Sequence, residues 1–163
     1  MISTILSRPI RAASTERRRP ASARPATRMT GTGIEMEYRP ITPEDYEPVR
    51  RFLSEAGWQH RVADPEKFAR MMGNTNRAVV AVEGARVVGF ARALCDEVSN
   101  GYISMVAVAA DMRRRGIGRE LVRQLVGDDR GITWVLRAGR GSDGFWERMG
   151  FQPSGVAMER VRS

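Results

Sequence analysis

The chain has 163 residues, 42% of them hydrophobic and 28% charged, which is enough for one domain with an ordinary core. Its one cysteine, Cys95, excludes an intrachain disulfide, so nothing requires an oxidising compartment. No apolar run approaches the roughly 20 residues of a membrane span, and a soluble, cytoplasmic protein is expected.

The formal net charge of +8 resembles a nucleic-acid signal only until it is divided along the chain. Seven of the 27 basic residues but one of the 19 acids, Glu16, lie in residues 1–33. That stretch is rich in Arg, Ala, Ser, Thr and Pro and has no hydrophobic periodicity, so it is expected to be a disordered tail ahead of a domain over residues 34–163. A transit peptide would share the composition, yet Pro9, Pro20 and Pro25 interrupt its amphipathic helix. A nucleic-acid arm would want aromatic residues for stacking, and none is present. The preferred reading is a gene start placed too early, with Met29 or Met36 as initiator. A GC-rich bacterial coding bias would explain both that and the 26 arginines against the single Lys67.

Residues 37–40 read as a first strand. Thr42-Pro43-Glu44-Asp45 then supplies an N-cap, an N1 proline and early acids for a helix to about Ala56, ended by Gly57. Asp64-Pro65-Glu66 starts a second helix to about Met72. Residues 77–82 and 86–94 are strands joined by Glu83-Gly84-Ala85, and residues 102–108 follow as their antiparallel partner after a loop at 96–101. A helix over 119–126, a strand over 133–138, a short helix over 142–149 and a closing strand over 155–161 complete the order. The expected fold class is α/β (α+β), a mixed and mainly antiparallel sheet flanked by helices.

The strand at 102–108 runs through Ala109-Ala110-Asp111-Met112 into Arg113-Arg114-Arg115-Gly116-Ile117-Gly118. Glycines at a strand-to-helix turn let backbone N–H groups converge, and the helix dipole adds positive character, so this turn suits a pyrophosphate. Further on comes Phe145-Trp146-Glu147-Arg148-Met149-Gly150-Phe151. The first segment resembles the Arg/Gln-x-x-Gly-x-Gly/Ala motif of the GNAT acetyltransferase superfamily, and the second its Phe-Tyr-x-x-x-Gly-Phe signature. The resemblance covers about residues 37–162. A literal G-x-G-x-x-G, Gly139-Arg-Gly141-Ser-Asp-Gly144 with Glu159 beyond it, mimics a dinucleotide fingerprint. It is set aside because its helix is only about two turns long and no further parallel strands can follow.

The resemblance implies acetyl-CoA as cosubstrate, with no metal. It implies that Met105, Val106, Ala107 and Val108 line the pantetheine arm, that Arg113, Arg114, Arg115, Gly116, Ile117, Gly118 and Arg119 hold the pyrophosphate, and that Trp146 packs beside the arm. Two positions depart from the family. Trp146 stands where many members have a general-acid tyrosine, and indole N–H is far too weak an acid for that role. Gly139 replaces a frequent asparagine.

Candidate catalytic residues are Tyr102 and Ser104, on one strand face by the period-two rule, with Glu97 and Asp96 in the preceding loop as further bases or as attractors of a cationic amine. A tyrosine with a pKa near 10 is a poor base at neutral pH, so water relayed through Ser104 or a nearby carboxylate is the more plausible route. His60, beside Trp58 in the loop between the first helices, is the only histidine, and without cysteine or histidine partners it cannot assemble a metal site. No basic residue adjoins Cys95 in the sequence to activate its thiol, which argues against a covalent relay.

The expected activity is N-acetyl transfer to a primary amine of a small molecule, directly in a ternary complex. Acetylation of a protein N-terminus or lysine is the alternative within the enzyme class, and a catalytically weak acyl-CoA-binding module the alternative outside it. Membrane and nucleic-acid partners are disfavoured, and a homodimer is left open.

Overall fold

Two continuous apolar runs make the middle of the sheet. In β3 (Arg77–Glu83) Val79, Val80, Ala81 and Val82 are all buried, and in β4 (Arg86–Cys95) everything from Val88 to Ala93 is. Strands apolar on both faces need cover on both, and helices supply it. The computed structural model describes residues 26–29 and 35–161. Its remaining elements are β1 (Ala26–Met29), β2 (Glu35–Pro40), α1 (Tyr46–Leu53), α2 (Gln59–Val62), α3 (Pro65–Gly73), β5 (Asn100–Val108), α4 (Ile117–Val126), β6 (Thr133–Leu136) and α5 (Asp143–Arg148).

The sheet order is β1-β2-β3-β4-β5-β6. Every neighbouring pair is antiparallel except β5 and β6, which run parallel. The mixed, mainly antiparallel sheet expected from the sequence is therefore observed. Most of the stretch at 1–33 lies outside the described residues; within it, Ala26–Met29 form an edge strand against β2. Among the described residues, no helix is long and apolar enough to cross a membrane.

Helix α4 buries Ile117, Leu121, Val122 and Leu125, the i, i+4 stripe of an amphipathic helix. A Cβ on Gly89 would meet Leu121 and Ile117, so α4 covers the sheet face to which Gly89 belongs. The segment from Thr42 starts as expected, with a capping box between Thr42 and Asp45 and Pro43 at N1. Gly57, at φ 91°, sits in a wide turn over Ser54–Trp58, and the chain then resumes as α2. His60 is thus helical and exposed rather than in a loop.

Asp45 anchors this entry. Its carboxylate accepts from both Nη atoms of Arg39 at 2.6 and 2.8 Å and from the backbone N–H and hydroxyl of Thr42 at 2.8 and 3.0 Å. Burial alone would raise its pKa, but Arg39 and Thr42 outweigh that and hold it below the usual carboxylate range. A folded-state pKa below the unfolded one gives stability that is fully present above about pH 4 and is lost as pH falls through the folded value. Asp45→Asn is expected to cost about 2 kcal/mol at neutral pH and to flatten the stability profile below about pH 4; urea melts across pH measure both.

The closing strand expected over 155–161 does not form. Val156, Met158 and Val161 are all exposed, and an Arg137–Glu159 ion pair ties this segment to the end of β6. Alternation becomes a strand only where a neighbour completes the hydrogen-bond ladder. In the β5–β6 pair, Trp134 lies across Gly101, its register partner, so that a Cβ on Gly101 would overlap the indole ring. Gly101→Ala is expected to cost about 1–3 kcal/mol, seen as a lowered Tm.

Candidate active site

β5 pairs with β4 along its length but with β6 only over the register from Asn100↔Thr133 to Ile103↔Leu136. Past Leu136 the chain leaves the sheet through a turn, in which Ser142 donates to the Gly139 carbonyl from its backbone N–H at 3.0 Å and its hydroxyl at 2.7 Å. This turn and the short α5 are what the G-x-G-x-x-G string becomes. The far half of β5 therefore has no strand partner on that side among the described residues, and its unpaired backbone groups face a cleft of about 220 Å³. Ser104, Met105, Val106, Leu136, Phe145 and Trp146 line it, with Trp58 at the α1–α2 side.

A bulge shapes the cleft wall. Arg92 pairs with Met105 and Ala93 with Ile103, so Ser104 is the extra residue on β5. Opposed residues share a face, which places Tyr102 (opposite Leu94) and Met105 on the Arg92 face, and Val106 and Val108 on the α4 face with Ala91 and Gly89. The side chains of Met105 and of Val106 and Val108 consequently lie on different faces, Met105 being buried. Ser104 and Tyr102 do share a face, but Tyr102 opens onto a separate depression with Val135, Arg137 and the segment at 157–161.

The turn at the start of α4 lies on the other side of Phe145, which lines the cleft and would stand 3.5 Å from a Cβ on Gly118. Ala109 N–H bonds Val88 O at 2.9 Å, and Met112 is buried as an anchor. Arg114 (φ 62°) and the N-cap Gly116 (φ 84°) turn the backbone left-handed. The first intrahelical bond runs from Glu120 N–H to Gly116 O, so the N–H groups of the first turn remain free for an anion. Arg113, Arg114, Arg115 and Arg119 are exposed and make no ion pair among the described residues; Asp111, the nearby acid, is held by Arg86. A Cβ on Gly118 would meet Phe145 and Val108 at 3.5 Å, ordinary contact. Internal packing thus does not demand glycine there, whereas a ligand approaching the backbone would. Phe145 joins the two parts, touching Gly118 and lining the cleft.

Trp146 meets Phe145 and Phe151 edge-on at centroid distances of 4.9 and 5.4 Å while presenting a face to the cleft. It is both core and wall. The two loop acids are otherwise engaged. Asp96 accepts from the backbone N–H of Val98, Ser99 and Asn100 and from the Ser99 hydroxyl, and those bonds, Ser99 foremost, depress its pKa. Glu97 is clasped by Arg77 and Asn76, and Arg77 also donates to the Leu125 and Val126 carbonyls at the C-terminal end of α4. That end is about 15 Å along the helix from the arginine-rich turn. Neither acid lines the cleft.

Arg92 had no place in the sequence-based site, although its signal was plain: one charge inside the run Val87 to Leu94. It is buried, with Nε donating to Thr75 Oγ1 at 2.6 Å and Nη1 to Ser104 Oγ at 3.0 Å. A guanidinium can only donate, so the Ser104 oxygen is the acceptor and its own proton is free for another partner.

A cleft at an unpaired strand edge beside a cationic helix N-terminus is the arrangement of an acyl-CoA-dependent N-acyltransferase. A family model described as an acetyltransferase (GNAT) domain matches residues 37–161, and the chain belongs to that family. Acetyl-CoA is its cosubstrate by that membership. The fold is shared with a GCN5-related N-acetyltransferase from Ralstonia eutropha, at 24% identity and TM-score 0.59 over 77% of this chain and 98% of that one. An acetyltransferase from Trypanosoma brucei is similar at 20% identity and TM-score 0.62, over 78% of this chain and 99% of that one. An aminoglycoside acetyltransferase from an uncultured soil metagenomic sample matches at 20% identity and TM-score 0.61, with the same two coverages. No curated protein matches the chain.

Proposed function

We propose that this enzyme acetylates the primary amine of a small molecule by direct transfer within a ternary complex, using a domain that spans residues 34–163. The observation that carries the reading is that Phe145 both lines the β5 edge cleft and packs beside Gly118 of the turn at 113–119, so that the two lie next to each other. The unpaired backbone of residues 104–108 would hold the pantetheine arm, and the first-turn N–H groups of α4 with Arg113, Arg114, Arg115 and Arg119 the pyrophosphate. Bound acetyl-CoA supplies an acyl carbon already joined to a good leaving group.

The amine nitrogen bonds to that carbon as the carbon–sulfur bond breaks, and one amine proton ends on sulfur. Ser104 lies at the bulge, in the cleft wall, and Arg92 fixes its oxygen as an acceptor. A hydroxyl beside a guanidinium is a poor base and a good donor, so Ser104 is suited to stabilising charge that develops on the acyl oxygen or on sulfur. It takes over part of what a tyrosine at position 146 would do. Tyr102, outside the cleft lining, is a positioning residue at most.

Incubation with acetyl-CoA and a broad amine panel, following free thiol, tests the reading. Turnover of one or more small amines is expected. Tight CoA binding with no thiol release from any amine would favour a binding module instead, and acetylation confined to peptides a protein acceptor.

A further inference from the structure

The Arg92 guanidinium is buried, yet among the described residues no carboxylate pairs with it. Of its five N–H donors, one on Nε and one on Nη1 are used, both on neutral hydroxyls. Thr75 is itself committed, donating to the Met71 carbonyl at 2.8 Å. Nη2 has no hydrogen-bond partner among the described residues, and it is not one of the polar atoms sealed away from solvent without one. It therefore keeps a small contact with solvent, although the residue as a whole is buried. A second cation stands close by: Arg61 on α2 lies over the Trp58 ring at 5.4 Å, and its charge acts on Arg92.

An unpaired buried charge is expensive, and a like charge beside it adds to the cost. The folded protein therefore holds two cations, each against a residue of the cleft wall, Arg92 on Ser104 and Arg61 on Trp58, and neither has a carboxylate partner among the described residues. Asp96 and Glu97, the acids that follow Arg92 most closely in the chain, are spent on other partners, and Asp64, the acid nearest Arg61 in the chain, caps α3 by accepting from the Lys67 N–H. The cofactor's phosphates have their own arginines at the α4 turn, beyond the far end of β5.

Resting on the acetyltransferase reading above, we infer that the acceptor carries a carboxylate as well as its amine, so that the substrate class is an amino acid, with Arg92, assisted by Arg61, binding the carboxylate. The fork of the guanidinium matches a carboxylate in two-point contact, and the Ser104 hydroxyl held by the same group would then sit beside the amine. The charge on Arg92 is uncompensated until substrate arrives, which places a cost in the free enzyme at the point where specificity is gained.

The test is a panel of free amino acids, their carboxamides and the corresponding decarboxylated amines, assayed by thiol release with wild type, Arg92→Gln and Arg61→Gln, alongside calorimetry with CoA and thermal melts. Wild type is expected to favour an amino acid over its amide by at least about tenfold in kcat/KM, and Arg92→Gln to collapse that ratio mainly through KM. Arg61→Gln should reduce it less. CoA affinity should be unchanged in both, so loss of CoA binding or of all transfer in wild type counts against the acetyltransferase reading rather than this one. Preference of wild type for amides or plain amines, or an unaltered ratio in Arg92→Gln, overturns the assignment. Melting decides the matter independently of any acceptor. An arginine kept for substrate should leave Arg92→Gln at least as stable as wild type, and a Tm several degrees lower would show that Arg92 is a satisfied structural residue and overturn the proposal.

Discussion

Gly118→Val is expected to lower CoA affinity by at least about tenfold while leaving Tm within a few degrees of wild type. The asymmetry follows from the surroundings of residue 118. Its nearest neighbours, Phe145 and Val108, lie at ordinary contact distance from an added Cβ, so the fold tolerates a modest side chain there. The first-turn N–H groups of α4 must nevertheless come within hydrogen-bond reach of a pyrophosphate, and a branched side chain between them and the ligand blocks that approach. Gly116→Val should behave differently. At φ 84° a β-branched residue is strained by about 1–3 kcal/mol, so affinity and stability should fall together. Calorimetry paired with thermal melts separates the two cases; a Gly118→Val protein that binds CoA as wild type would remove the turn at 113–119 from the cofactor site.

Ser104→Ala should cost about two powers of ten in turnover, with CoA affinity unchanged, the range seen when one positioned donor is removed from a site of developing charge. Tyr102→Phe should lose less than tenfold, because its side chain faces the depression beside residues 157–161 rather than the cleft. Trp146→Phe should retain most turnover and Trp146→Tyr raise it only modestly. The ring serves as a wall against Phe145 and Phe151, and the amine itself brings a proton for the departing sulfur. Single-turnover kinetics on an identified acceptor would check these values. Full activity in Ser104→Ala with a large loss in Tyr102→Phe would reverse the two roles.

Much of this protein was readable from local pattern. The apolar runs of β3 and β4, the amphipathic stripe of α4, the Thr42 and Asp64 caps and the glycines of the 113–118 turn each declare themselves within a few residues, because hydrogen-bond geometry and the left-handed φ at Gly116 are short-range demands. Family membership follows from the same segments. The cleft wall was only partly readable. Ser104 was a candidate for its place on the strand, but nothing local shows that a bulge makes it the extra residue opposite Arg92.

What the amino-acid sequence determined alone was most of the elements, their order and the glycine turn that opens α4. Tertiary structure decided which charges meet. Glu97 looked available and is bound by Arg77, 20 residues earlier; Arg92, which entered no sequence-based site, is buried between Thr75 and Ser104. It also decided that β5 and β6 part after Ile103, opening the cleft, and that residues 155–161 stay outside the sheet despite their alternation. These outcomes depend on partners distant in sequence, where the free energy of a polar group is set by what packs against it after folding and not by its neighbours in the chain.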